Sequence, residues 1–264
     1  MSKLFCLCAD DFALTESISE SILTLLTAQR IQATSCMTQS PLWTTYSREL
    51  KLLTIPTQIG LHFNLTQPFD GHFNLPLKTL MIKAWTHQLD CHAIVYSLEQ
   101  QWQAFVDNMG REPDFVDGHQ HVHQFPIVRE LLLGFLKEHH YQGWVRSLAN
   151  TLLTRHNLFK TWLLPHLGAT QLEAHCQMLG IKHNQQFAGI YDFGVIVPYE
   201  SHMQAWMKNA PKHSTTLLMC HPSLSYRHAI DPIATSRAQE FAYLNSRNFI
   251  EDFERFDIQL GLIR

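Results

Sequence analysis

Four stretches of this 264-residue chain place metal-capable or proton-transferring side chains directly after an apolar run. Asp10-Asp11 follows Leu4–Ala9, and His62 follows Ile59-Gly60-Leu61. Asp117-Gly118-His119-Gln120-His121-Val122-His123 follows Phe115-Val116, and His221-Pro222 follows Leu217–Cys220. Two adjacent carboxylates repel and are costly beside an apolar core unless a cation or donor compensates them. One of the pair can bind a metal while its neighbour moves a proton; a solvated turn or helix cap is the plainer reading. In an extended segment His119, His121 and His123 share one face, so three imidazoles converge there. Gly118 lets the backbone approach closely or turn. His62 alone reads as a hydrogen-bonded structural residue. With an aspartate and a second histidine it completes a two-histidine, one-carboxylate set, which leaves coordination positions open for water and substrate. His221 either faces the same pocket or is a surface histidine at a strand end.

Other chemistries lack their signatures. No GxSxG, P-loop, GxGxxG or HExxH is present, and no cysteine pair has CxxC spacing. Histidine is the compositional outlier, 17 residues against 20 lysines and arginines combined. The formal charge of -3, without a basic block, argues against a nucleic-acid or membrane surface. No apolar run approaches a membrane span, and the apolar start is too short for a signal peptide, so the expectation is a reduced, cytoplasmic protein.

The elements that must position these groups alternate strand and helix. Leu4–Ala9 is a continuous apolar run, as expected of a strand covered on both faces. Ser17 and Glu20 have capping-box spacing, and Ile18, Ile22, Leu25 and Leu26 fall on one helical face. Further strands are expected near residues 32–37 and 59–65, at 114–116, at 144–148 and at 215–220. Helices are expected over 92–108, after Pro126 and over 237–244. Residues 151–199 contain helix-like pieces and turn-prone residues and are not placed. Hydrophobic residues at 45% and charged residues at 16% suit a packed globular chain. Repeated βα units imply one α/β domain over residues 1–264, with mostly parallel strands in an open sheet or a barrel. Functional groups in such folds gather at the carboxyl ends of the strands, which is why the four stretches should meet.

At these residues the chain resembles the YdjC-like carbohydrate deacetylases. The matching motifs are Ala9-Asp10-Asp11-Phe12, Gly60-Leu61-His62 read as a turn, Asp117 to His123, and Met219-Cys220-His221-Pro222, in the family's order across nearly the whole chain. The resemblance implies a deformed (β/α) barrel that removes the acetyl group from an N-acetylated sugar, using one divalent metal ion, zinc or magnesium. It implies Asp11, His62 and His119 as metal ligands, Asp10 as general base, His221 as general acid, and Arg146 as the residue that orients Asp10 or substrate. His121 and His123 then remain as pocket or supporting residues, and a homodimer is the implied assembly. Ala13 departs from the pattern, since the family has glycine after Asp-Asp-Phe. Residues 151–199 match poorly, so the chemistry transfers better than the identity of the sugar. Two rivals are a non-haem iron oxygenase, which shares the ligand set, and a non-catalytic sugar-binding protein with a degenerate site.

Overall fold

A computed structural model describes residues 2–154, 167–194, 196–224 and 231–264. Strand β1 (Lys3–Phe12) is the buried centre of one parallel sheet. It is followed by α1 (Glu16–Thr27), β2 (Ala33–Cys36), α2 (Trp43–Lys51), β3 (Gln58–Phe63), α3 (Leu77–Trp85) and α4 (Cys91–Met109). Next come β4 (Phe115–Gly118), a 3-10 segment (His119–Gln124), α5 (Val128–Glu138) and β5 (Trp144–Val145). The remainder is α6 (Ala169–Leu179), β6 (Lys182–His183), β7 (Gln186–Ala188), α7 (Tyr199–Asn209), β8 (Thr215–Cys220), α8 (Ala234–Leu244), α9 (Arg247–Arg255) and β9 (Ile258–Leu260). Among the described residues no helix is long and apolar enough to cross a membrane.

The strand order is β6-β5-β4-β3-β2-β1-β8-β7, with β9 also paired to β1. The two ends of that order, β6 and β7, are separated in sequence only by Asn184 and Gln185. So short a tether, about 3.5 Å per residue at most, forces the sheet edges together. Asn184 closes the seam: its side chain accepts from Ser147 N at 2.7 Å and donates to the carbonyls of Ser147 and Gln186. The sheet is therefore a curled half-barrel wrapped by helices, the deformed (β/α) barrel expected.

Several boundaries differ from the sequence expectation for identifiable reasons. Helix α1 is capped by Thr15, whose hydroxyl accepts from Ile18 N, so Ser17 and Glu20 lie inside the helix and form no capping box. The apolar stripe Ile18, Ile22, Leu25 and Leu26 is buried as read. Gly60 is inside β3 and not in a turn. A side chain there would meet the Phe115 ring at 2.4 Å, and Phe115 is itself stacked on Trp144 at 4.4 Å. The strand expected over 144–148 ends at Val145. Of the unplaced 151–199 stretch, residues 155–166 and 195 lie outside the described residues; the rest supplies α6, β6, β7 and the start of α7.

Candidate metal and proton-transfer site

Strand β1 solves a geometric problem at its carboxyl end. Neighbouring residues on a strand point to opposite faces, yet both Asp10 and Asp11 are buried in the same site. Between Ala9, paired with Thr34, and Phe12, paired with Cys36, the register shifts by one residue. Asp11 takes φ 69° in this bulge, and Ala13 follows at φ 70°. The extra residue swings two consecutive carboxylates into one pocket. The glycine that the motif has elsewhere suits this left-handed turn; here alanine adopts it with strain.

Asp11 Oδ1 lies 3.3 Å from His62 Nε2 and 3.0 Å from His119 Nδ1. Two donors each about 2.1 Å from one cation stand about 3.0–3.4 Å apart at tetrahedral or octahedral angles, so both Asp11 distances suit a shared divalent ion, and the three atoms all lie within 4.8 Å of one another. His62 is oriented from behind: its Nδ1 meets Asp117 Oδ1 at 2.6 Å and Ser35 Oγ at 3.0 Å. A carboxylate on the far nitrogen fixes ring and tautomer, as in carboxylate–histidine–metal arrangements. Residues His62 and Asp117 are direct partners across β3 and β4. Asp11 Oδ2 is taken by Arg237 Nη2 at 2.6 Å, which leaves Oδ1 to face the histidines.

Asp10 is gripped by Arg146, whose Nη2 also reaches Asp117 Oδ2 at 2.6 Å and Cys8 Sγ at 3.2 Å. Cys8, Asp10 and Asp117 also have metal-capable spacing, but the fully buried guanidinium already fills that position as their cation. Burial alone would raise the Asp10 pKa, but Arg146 outweighs it and holds the carboxyl well below the usual range. Four carboxylates (Asp10, Asp11, Asp117 and, on the Nε side of Arg237, Asp231) thus meet two guanidiniums (Arg146, Arg237), two negative charges in excess. His62 answers part of that excess. Burial disfavours its charge, yet the surrounding carboxylates push its pKa up to about 10, so a proton sits beside Asp11 where the fit places a cation.

His221 follows β8 with its Nε2 3.9 Å from Asp10 Oδ2. Burial pushes its pKa down to about 4 despite Asp10 and Asp11, so the imidazole is neutral. The side chains of His119 and His221 are each 13% exposed, against 2% for Asp10, Asp11 and His62. The site therefore opens to solvent along the His119–His221 side.

The three alternating histidines do not converge. Residues 119–124 form a 3-10 segment in which Gln120 and His121 have φ 52° and 60°, so the extended spacing argument fails. No glycine marks those left-handed positions in the sequence. His119 alone reaches Asp11. His121 is half-buried and packs edge-on to Phe187, and burial holds it neutral. His123 is fully buried, and its Nε2 donates to the Arg146 carbonyl at 2.9 Å. Gly118 permits this by close approach and not by turning, since a Cβ there would stand 2.9 Å from His123 N and Nδ1. Ser35, Arg237 and Glu240 are not singled out by the sequence, and Asp117 is named there only as the head of its strand-end stretch, without a role. Arg237 and Glu240 come from α8, and nothing local marks them.

The profile of the YdjC-like protein family matches residues 4–255. A chitooligosaccharide deacetylase of Yersinia pestis (strain Pestoides F) is 29% identical over 146 residues, 52% of this chain and 57% of that protein. The match thus spans little more than half the length of the curated relatives. Among solved structures, a protein of Enterococcus faecalis V583 provisionally named for cellobiose-phosphate cleavage superposes with TM-score 0.66 at 17% identity, covering 99% of this chain and 97% of the other. The catalytic domain of a peptidoglycan N-acetylglucosamine deacetylase from Eubacterium rectale ATCC 33656 superposes with TM-score 0.52 at 11% identity, covering 100% and 90%. At such identities these two structures speak to the fold alone. By the profile match over most of its length, the chain belongs to the YdjC-like family.

Proposed function

We propose that the protein is a metal-dependent carbohydrate N-deacetylase acting on an N-acetylglucosamine-containing sugar, with residues 1–264 working as one domain. The observation that carries this reading is the adjacency of two sets. Asp11 Oδ1, His62 Nε2 and His119 Nδ1 have metal-ligand spacing, and Asp10 with His221 lies beside them with proton-accepting and proton-donating atoms 3.9 Å apart. The name of the Yersinia relative and the family membership supply the substrate class.

Asp11, His62 and His119 would hold a divalent cation, which when bound would supply Lewis acidity toward water and the acetyl carbonyl. Two imidazoles favour zinc, and a carboxylate with open positions also suits magnesium. In this reading Asp10 accepts a proton from the attacking water. His221, neutral at rest and more basic than the arginine-bound Asp10, takes that proton on Nε2 and delivers it to the sugar nitrogen as the C–N bond breaks. Acetate and a free amine result, with no covalent enzyme intermediate. Arg146 keeps Asp10 ionised and aimed; Arg237 does the same for Asp11. The six free cysteines, five of them buried, favour a reducing, cytoplasmic setting.

Acetate release from N-acetylglucosamine and chitooligosaccharides, with and without chelator, tests the reading. Chelator-sensitive release that Asp10→Asn abolishes while metal stays bound is the expected result. The same ligand set occurs in non-haem iron oxygenases, so oxygen uptake coupled to turnover, without acetate, would overturn it.

A further inference from the structure

Helix α8 delivers a second polar residue to the site, one turn beyond Arg237. Glu240 is fully buried, a costly position for a carboxyl unless both oxygens find donors. They do. Oε1 accepts from the Tyr191 hydroxyl at 2.5 Å, and Oε2 accepts from the backbone N–H of His221. Burial still drives its pKa up to about 7, against the lowering by these two donors and by Arg237. A position that needed only to be filled would hold an apolar side chain without that cost.

The contacts close around His221 from two directions. His221 is the first residue beyond β8, and Pro222 after it has no N–H to anchor the chain. Glu240 therefore fixes the backbone at the point where the imidazole departs. Tyr191, held by Glu240, packs on Phe193 at 4.6 Å, and Phe193 meets the His221 ring edge-on at 5.3 Å. Ser236, four residues before Glu240 on the same helix, donates to the Phe193 carbonyl at 2.5 Å. One helix thus grips both the main chain of His221 and the main chain of Phe193, whose ring packs against the imidazole.

We infer that Glu240 is a positioning residue for proton delivery: it holds His221 through the backbone and through Tyr191 and Phe193, so that Nε2 faces Asp10 and the leaving nitrogen. This rests on the deacetylase reading for its catalytic consequence, although the positioning itself does not.

The test compares Glu240→Gln, which keeps an acceptor for the His221 N–H and a polar partner for Tyr191, with Glu240→Met, which fills the space without an acceptor. In histidine-labelled protein, the His221 imidazole resonance should stay single in the Gln variant. It should broaden or split in the Met variant, while His62 and His119 are unmoved. With substrate, the Met variant should lose about 100-fold in kcat on the N-acetylated sugar at unchanged KM and metal affinity. It should keep its rate on 4-nitrophenyl acetate, whose leaving group needs no proton. Ser236→Ala, which leaves the buried carboxyl intact, should show a smaller effect of the same kind and serves if the Met variant does not fold. An unmoved His221 resonance in the Met and Ser236→Ala variants, or equal losses on both substrates, would overturn the inference. Absence of acetate release by the unsubstituted protein would count against the deacetylase reading alone, and the resonance would still decide the role of Glu240.

Discussion

Arg146 and Asp10 meet as a two-pronged pair across the half-barrel: Nη1 reaches Oδ2 at 2.5 Å and Nη2 reaches Oδ1 at 2.6 Å, with neither residue accessible to bulk solvent. The same guanidinium also forms an ion pair with Asp117, Nη2 to Oδ2 at 2.6 Å. It is therefore the common counter-charge of two carboxylates that come from different strands, β1 and β4.

Removing that counter-charge leaves buried Asp10 without its ion-pair partner and Asp117 with His62 alone. Arg146→Met should destabilise the fold by about 3–5 kcal/mol, read from urea unfolding at pH 7. Arg146→Lys should recover only part, because a point charge cannot serve both oxygens of Asp10. The double variant Arg146→Met/Asp10→Asn should lose less than the sum of its parts, since the two residues act as one unit. Strict additivity would contradict the pairing.

Metal and proton should compete at His62. Its pKa, lowered by burial but pushed to about 10 by Asp117, Asp11 and Asp10, means that the metal-free protein carries a proton there at neutral pH. Binding a divalent ion should release close to one proton at pH 7–8, measured by calorimetry in buffers of differing ionisation enthalpy. Apparent affinity should rise about tenfold per pH unit up to roughly pH 10 from this group. Asp117→Asn should weaken binding by about 10–100-fold and reduce proton release. No proton release would remove His62 from the ligand set.

Acid should attack the support beneath Arg146. Burial pushes the His123 pKa down to about 4, with Asp117 and the Arg146 carbonyl opposing it. The folded state therefore binds fewer protons than the unfolded chain between pH 6.5 and 4. Stability from this group is complete above pH 6.5 and is lost as pH falls through 4. A shift of that size corresponds to on the order of 3 kcal/mol. In His123→Gln, whose amide can still donate to the Arg146 carbonyl, the drop in urea midpoint between pH 7 and 4 should shrink. An unchanged drop would place the acid sensitivity elsewhere.

Ala13 carries a backbone angle that glycine takes without strain, φ 70°. Ala13→Gly should relieve about 1 kcal/mol and return part of it through a freer unfolded chain, leaving Tm equal or a few degrees higher. Ala13→Val, branched at Cβ in a fully buried site, should lower Tm sharply. A loss of stability in the glycine variant would mean that the turn is not strained.

What was legible in the sequence was the strand ends. Apolar runs that stop at Asp10, His62 and His221 mark where parallel strands deliver polar groups, and β8 was bounded correctly at Thr215 and Cys220. Asp117 heads one of the four stretches but receives no role of its own in the sequence reading, because the histidines after it draw the metal argument. The alternating histidines misled for a backbone reason: left-handed Gln120 and His121 break the two-residue period, and glycine, the residue type that most plainly announces such a turn, stands at neither position. Arg237 and Glu240 reach the site from more than 200 residues beyond Asp11 in the chain. Their partners are set by how α8 packs on the barrel, which no local pattern encodes.

The bulge in β1 also bears on how such a site can arise or be lost. From Ala9 to Phe12 the strand takes three steps while β2 takes two, from Thr34 to Cys36. Substituting Asp10 or Asp11 changes which chemical group is presented, but residue count alone determines that both face one pocket. A one-residue deletion would leave the ladder on either side intact and send one carboxylate into the apolar layer behind the sheet. The paired acids are in this sense a property of strand length, open to insertion and deletion, and they cannot be created in an unbulged strand by point substitution alone.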